Sequence, residues 1–213
     1  MSEFHYIAVE GPIGVGKTAV VERLAARLDA NTVLEEWWHN PFLKPFYEGS
    51  PGASFQVELF FLLSRYRQQQ ELTQRSLFPR FTISDYVFEK SRIFAHLNLE
   101  DSELLIYEKL YGLIGEGVPR PDLVVYLQAP TEVLWKRIRG RGRAEEAPLS
   151  EEYLAEVNRA YSHYFFHYGQ TPLLVVSTAD VDLAGSDDDL DDLLRQVRGM
   201  GKGTRYYVPK GAR

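Results

Sequence analysis

The chain has 213 residues, 45% of them apolar, enough to bury the core of a single domain. Its 24 basic side chains against 30 acidic ones give a net charge of −6, which argues against bulk electrostatic attraction to nucleic acid or to an anionic membrane. There is no cysteine, so disulfides and thiolate metal sites are excluded; with no leader-like segment and no apolar run of the roughly 18 to 20 residues that cross a bilayer, the expectation is a soluble cytoplasmic protein without nucleic-acid or membrane partners.

The first apolar run, 4–9, reads as a strand and leads into Gly11-Pro12-Ile13-Gly14-Val15-Gly16-Lys17-Thr18, which fits G-x-x-x-x-G-K-[ST]. Glycines let successive backbone N–H groups close around an anion, and the helix that follows adds its own unpaired N–H groups and positive dipole end. Ala19, Val20, Leu24, Ala25 and Leu28 recur at helical spacing after the loop, so strand, loop and helix stand in the order a phosphate site requires. Lys17 is expected on the β and γ phosphates and Thr18 on Mg²⁺.

A second strand-like run, 31–35, ends in Leu34-Glu35-Glu36-Trp37-Trp38. A hydroxyl that attacks phosphorus needs a carboxylate to take its proton, and either glutamate can serve. The apolar stretch from Ser54 to Thr73 predicts a core helix, with Gln56 on the face of Leu59, Phe60 and Leu63. A buried amide needs partners, and two readings stand: the backbone satisfies Gln56, or the edge of a ligand such as a nucleobase does.

Further apolar runs at 81–84, 122–127 and 172–176 alternate with helical patterns. Strands apolar on both faces predict a five-stranded parallel sheet with helices on each side, and ligands then bind where the strands end, here at Glu10, Glu36, Asp85 and Gln128. The helix expected over 102–115 fits either the core or a contact between two copies of the chain. Lys136-Arg137-Ile138-Arg139-Gly140-Arg141-Gly142-Arg143 packs five cations into eight residues, which suits either an arginine-rich flap over a transferred phosphate or a helix end decorated for its dipole. Asp180 to Asp192 reads as a solvated connection and the acidic start of a helix, and the basic, glycine-containing segment 199–213 as a flexible tail after a domain over 1–198.

Taken together, four blocks resemble the deoxynucleoside kinase family, in particular its bacterial deoxyadenosine and deoxyguanosine kinase branch. They are Glu10 to Thr18, Glu36 with Asn40-Pro41-Phe42-Leu43 and Phe46-Tyr47, Phe55-Gln56 leading to Leu59 through Arg67, and Arg137 through Glu146. The resemblance implies a three-layer P-loop NTPase fold with an arginine lid, and transfer of the ATP γ-phosphoryl group to the 5′-hydroxyl of a deoxynucleoside, purine favoured, with Mg²⁺, in a homodimer. It implies that Glu36 is the base, that Lys17, Arg141 and Arg143 serve the transferring phosphate, and that Gly11 through Thr18 together with Arg139 hold ATP. Tyr47 and Glu146 would bind the sugar, Gln56 would read the base, Phe94 would stack on it, and Asp85 with Thr18 would stand at the metal.

One departure is visible: the family arginine after the third strand is Tyr86 here, so Arg65, Lys90 or Arg92 is expected to supply the charge. Two alternatives share the motifs, a thymidylate-type monophosphate kinase and a catalytically inactive kinase-like subunit.

Overall fold

The computed structural model describes residues 4–75 and 81–209. Lys210 and Arg213 of the expected tail lie outside them.

Six parallel strands form the sheet: β1 (Tyr6–Glu10), β2 (Asn31–Val33), β3 (Thr82–Ser84), β4 (Leu123–Gln128), β5 (Leu173–Ser177) and β6 (Thr204–Tyr207), in the order β2-β3-β1-β4-β5-β6. The count of five is thus corrected to six. The sixth strand falls in the segment expected as tail, where Thr204-Arg205-Tyr206-Tyr207 pairs with Leu173 to Val176 at the sheet edge. Its β-branched and aromatic residues suit a strand. The surrounding glycines and cations mask it, because its contiguous apolar residues are only Tyr206, Tyr207 and Val208.

Side chains alternate across the sheet because the strand period is two. Ile7, Val9, Leu123, Val125, Leu127, Leu174 and Val176 pack on one face with Val20, Val21 and Leu24 of α1 (Lys17–Leu28) and Leu190, Leu193 and Leu194 of α8 (Asp187–Arg198). Ala8, Val124, Tyr126, Leu173 and Val175 pack on the other with Ile93 of α4 (Lys90–Asn98) and Val157, Tyr161 and Phe165 of α7 (Glu151–Phe166). Burial on both faces is what makes these strands continuous apolar runs.

The acidic stretch does start a helix: Ser186 caps α8, Asp187 to Asp189 occupy its first turn, and Arg23 and Arg27 of α1 pair with Asp187 and Asp191. A third layer holds α3 (Ala53–Arg75) and α5 (Asp101–Gly115), joined to α4 through Leu62, Ala95 and Tyr107. Both readings of α5 describe part of it, since Tyr107 is fully buried while Leu105, Ile106 and Leu113 face outward. The strand order reverses at β1, with β3 on one side and β4 on the other, so the loops after these three strands converge on one crevice.

Candidate active site

The loop between β1 and α1 is built for close approach. Gly14 sits at φ +87°, where a Cβ would come within 2.8 Å of Ile138 Cγ1, and Gly16 caps α1 at φ +102° with no side chain of its own to bond the first turn. The N–H groups of that turn are therefore available to an anion. Val15 is buried in the core and anchors the loop. Ile13, Gly14, Gly16, Lys17 and Thr18 line a cavity of about 230 Å³. Gly11 and Pro12 stand behind them, their carbonyls accepting from Lys17 Nζ at 2.7 and 3.1 Å. Burial and the nearby Lys90 ammonium lower the Lys17 pKa to about 8.

Asp85, at the end of β3, joins two parts of the site. Its Oδ2 accepts from Thr18 Oγ1 at 2.6 Å and its Oδ1 from the backbone N–H of Glu35 at 2.7 Å. Burial, and then the Glu35 carboxylate, raise its pKa. Among the described residues no three His, Cys, Asp or Glu side chains cluster as a self-sufficient metal site. A hydroxyl and one carboxylate beside a phosphate loop nevertheless fit Mg²⁺, which takes few protein oxygens and fills its remaining positions with water and phosphate.

The two glutamates face different ways, and the one in the cavity wall is Glu35, not the expected Glu36. Glu35 lines the cavity: its Oε1 accepts from Arg65 Nε at 2.7 Å and Nη2 at 2.6 Å, and its Oε2 from Lys90 Nζ at 2.5 Å. Burial alone would raise its pKa, but Arg65 and Lys90 outweigh that and hold it at about 2. Glu36 points outward, its side chain 53% exposed and paired with His39. The cause is local. The chain leaves β2 and turns into a short 3₁₀ segment, Trp37–His39, which carries Glu36 to the outer side.

Two of the three candidate cations therefore stand in the cavity wall. Arg92 is instead paired with Glu108 on α5. Tyr86 is buried, its hydroxyl donating to Gln68 Oε1 at 2.8 Å.

The cavity is also lined by Phe46 and Tyr47 of the short helix α2 (Leu43–Tyr47), Phe61 of α3, Phe94 of α4 and Tyr153 of α7. Phe94 and Tyr47 thus both line the cavity. Glu146 is buried there and ion-paired with Arg141, and its carboxylate adds to burial in raising the Tyr47 hydroxyl pKa. Arg141 and Arg143 also line the cavity, with the Arg143 guanidinium 4.8 Å from the Trp37 ring.

Arg139 is elsewhere. It stacks on Trp135 at 4.0 Å and donates to the carbonyls of Ala147 and Leu149, tying the lid segment to α6 (Thr131–Arg141). It is not among the residues lining the cavity, which does not favour its expected place on ATP.

Gln56 is the second correction. It is exposed and does not line the cavity; the inward face of α3 carries Val57, Glu58, Phe61 and Arg65. Leu63, assigned to the buried face, is 52% exposed. The residue in the wall is Glu58, 2% exposed, which the sequence reading passed over. Its signal was the 58, 61, 65 spacing of i, i+3, i+7, which puts two charges of opposite sign on one face of an otherwise apolar helix.

This geometry agrees with what the chain resembles. Residues 7–200 match the family model described as deoxynucleoside kinase. A deoxyguanosine kinase of Bacillus subtilis is 34% identical over 184 residues, covering 85% of this chain and 89% of its own. A deoxyadenosine/deoxycytidine kinase of the same organism is 29% identical, covering 90% of each. The structure of deoxyadenosine kinase from M. mycoides with products dCMP and dCDP superposes with a TM-score of 0.78 at 23% identity, covering 92% of this chain and 100% of that one. With a phosphate loop, a cation-held carboxylate and an arginine lid around one cavity, and with the family pattern running along nearly its whole length, the chain belongs to the deoxynucleoside kinase family.

Proposed function

We propose that this kinase transfers the γ-phosphoryl group of ATP to the 5′-hydroxyl of a purine deoxynucleoside, with Glu35 facing the acceptor hydroxyl. The observation that carries the reading is the Glu35 carboxylate, held between Arg65 and Lys90 at 2.5 to 2.7 Å in the wall that also presents Lys17 and Thr18.

The nucleoside oxygen forms its bond to the γ phosphorus as the bond to the bridging oxygen of ADP breaks, and the hydroxyl proton passes to Glu35. A carboxylate at about 2 is a weak base, so the proton leaves late and the main work of Glu35 is to aim the hydroxyl. A loose phosphoryl-transfer transition state demands little more than that, since it is stabilised chiefly by position and charge. Lys17 and the amides of the phosphate loop hold the donor phosphates. Arg141 and Arg143 bring lid charge to the same cavity, and Tyr47 and Glu146 take the sugar. Thr18 and Asp85 would hold Mg²⁺, which would offset the charge of the donor phosphates.

Arg65 and Lys90 stand in for the arginine absent at Tyr86, which removes the main ground for an inactive subunit. The purine preference is supported by the substrates named for the relatives. A homodimer is supported by the outward apolar residues Leu105, Ile106 and Leu113 of α5, and a cytoplasmic location by the need for ATP.

Incubating the purified protein with ATP, Mg²⁺ and each of the four common deoxynucleosides tests the reading. The expected products are ADP and a 5′-monophosphate, formed fastest from a purine nucleoside. Failure to phosphorylate any of the four overturns it.

A further inference from the structure

The lid reaches the cavity through two arginines that are held in different ways. Arg141 ends α6, and its Nε and Nη2 are committed to the Glu146 carboxylate. Gly142 then turns the chain at φ +63°, and Arg143 is the first side chain beyond that turn. Among the described residues the Arg143 guanidinium donates no hydrogen bond, and the Glu146 carboxylate stands 4.0 Å away, beyond hydrogen-bond length. The guanidinium lies instead over the Trp37 ring, 4.8 Å from its centroid.

Trp37 is fixed to receive it. Its carbonyl accepts from the Asn40 N–H at 3.2 Å, and the buried Asn40 side chain donates to the Val57 carbonyl of α3 at 3.1 Å. Trp38 packs edge-on against the ring, with centroids 5.7 Å apart. Trp37 lines the cavity together with Glu35 and Arg143, so one short segment after β2 carries both the carboxylate that aims the acceptor and the ring under the lid cation.

Building on the kinase reading above, we propose that Trp37 is the dock for the lid: its ring face holds Arg143 at the cavity so that the guanidinium donors meet the transferring phosphate, which makes Trp37 a positioning residue acting through Arg143.

The chemistry of the two side chains suits this division. A guanidinium is planar and weakly hydrated, with its N–H donors directed outward in the plane. Attraction to the negative face of an indole acts on the charge as a whole and uses none of those donors. A carboxylate would hold the cation as well, but it would occupy donors, as Glu146 does with two of those on Arg141. An aromatic dock therefore orders Arg143 before the triphosphate arrives and leaves it able to form paired hydrogen bonds to phosphoryl oxygens.

The test is a double-substitution cycle on turnover with Trp37→Leu and Arg143→Ala, singly and together, beside Trp37→Phe. Trp37→Leu is expected to lower kcat by about tenfold while the nucleoside KM changes by less than about threefold. Trp37→Phe keeps a ring face and is expected to retain most of kcat. In the Arg143→Ala background, Trp37→Leu is expected to lower kcat by no more than about twofold further. A ring that served only as cavity wall would raise the nucleoside KM and give the same loss with or without Arg143. An unchanged kcat in Trp37→Leu, or equal losses in the two backgrounds, overturns the proposal.

Amide exchange in the nucleotide-free protein reads the dock without turnover. Trp37→Leu and Arg143→Ala, the latter on a side chain 42% exposed, are each expected to speed exchange over residues 143–147 by about tenfold. Exchange that is unchanged in either variant overturns the dock. Absence of turnover in the unsubstituted enzyme overturns the kinase reading itself, a result that the exchange measurement keeps distinct.

Discussion

Arg65 grips a single oxygen of Glu35 with two of its nitrogens, Nε at 2.7 Å and Nη2 at 2.6 Å, while its Nη1 donates to Ser91 Oγ at 2.9 Å. The guanidinium is 2% exposed and fixed from both sides, so it sets the carboxylate in one orientation. Lys90 closes on the other oxygen. Asp85 fixes the backbone of the same residue, so the acceptor end of the site is tied to the phosphate loop through Thr18.

Glu35→Gln is therefore expected to lower kcat by about 10² to 10⁴ while the affinity for ATP changes only a few-fold, because the amide keeps the shape but loses the charge that aims and deprotonates the hydroxyl. Glu36→Gln, on an exposed side chain paired with His39, is expected to leave kcat within about threefold of the parent. Steady-state kinetics on the two variants decides between adjacent residues, and the reverse order would return the role to Glu36.

The same ion pairs bear on acid stability. The Glu35 pKa is depressed from its ordinary 4.5 to about 2, so its stabilisation is present above pH 4.5 and is lost as pH falls through 2. Its pH-dependent share is roughly 3 kcal/mol. In urea titrations, the stability difference between the parent and Glu35→Gln should shrink by that order from pH 5 to pH 2. A difference that holds constant over the range would show that Arg65 and Lys90 do not depress this carboxyl.

Glu58 carries the opposite sign. Burial raises its pKa from 4.5 to about 7, so the folded state favours the protonated acid. That contribution is fully present below pH 4.5 and is lost as pH rises through 7. Glu58→Gln, which cannot ionise, should gain stability relative to the parent between pH 5 and pH 8, by roughly 3 kcal/mol, seen as a widening gap in urea midpoints. A gap independent of pH would mean that the carboxyl is already ionised at pH 5 in the folded chain.

Much of this was legible in the sequence, and the losses share a cause. The phosphate loop is local, and its spacing alone places Lys17 and Thr18. The central strands β1, β4 and β5 are legible because they are apolar on both faces, whereas β6 is an edge strand with Tyr206 66% exposed and so lacks that mark. The inward side of α3 is hard to read because apolar side chains fall on every face of its N-terminal half, Phe55 to Leu63. Hydropathy then cannot rank its faces, and it assigns Glu58 and Arg65 to solvent when both are buried at the site. Glu35 and Glu36 are adjacent, and only the turn of the chain after β2 decides which faces inward.

The lid gives a final separation of roles within one arginine run. Arg141 lines the cavity and is ion-paired with Glu146, whereas Arg139 stacks on Trp135 and holds the carbonyls of Ala147 and Leu149. Arg141→Ala removes a cation from the site and leaves the buried Glu146 carboxylate without its closest partner, so kcat is expected to fall by about 10² or more, with a weaker grip on the nucleoside. Arg139→Ala removes two backbone contacts and one ring contact from the lid base, so it should act through lid order, raising KM for ATP a few-fold and increasing amide exchange around Ala144 to Leu149 while kcat holds. Equal kcat losses in the two variants, with no change in exchange for Arg139→Ala, would instead put both guanidinium groups on the transferring phosphate.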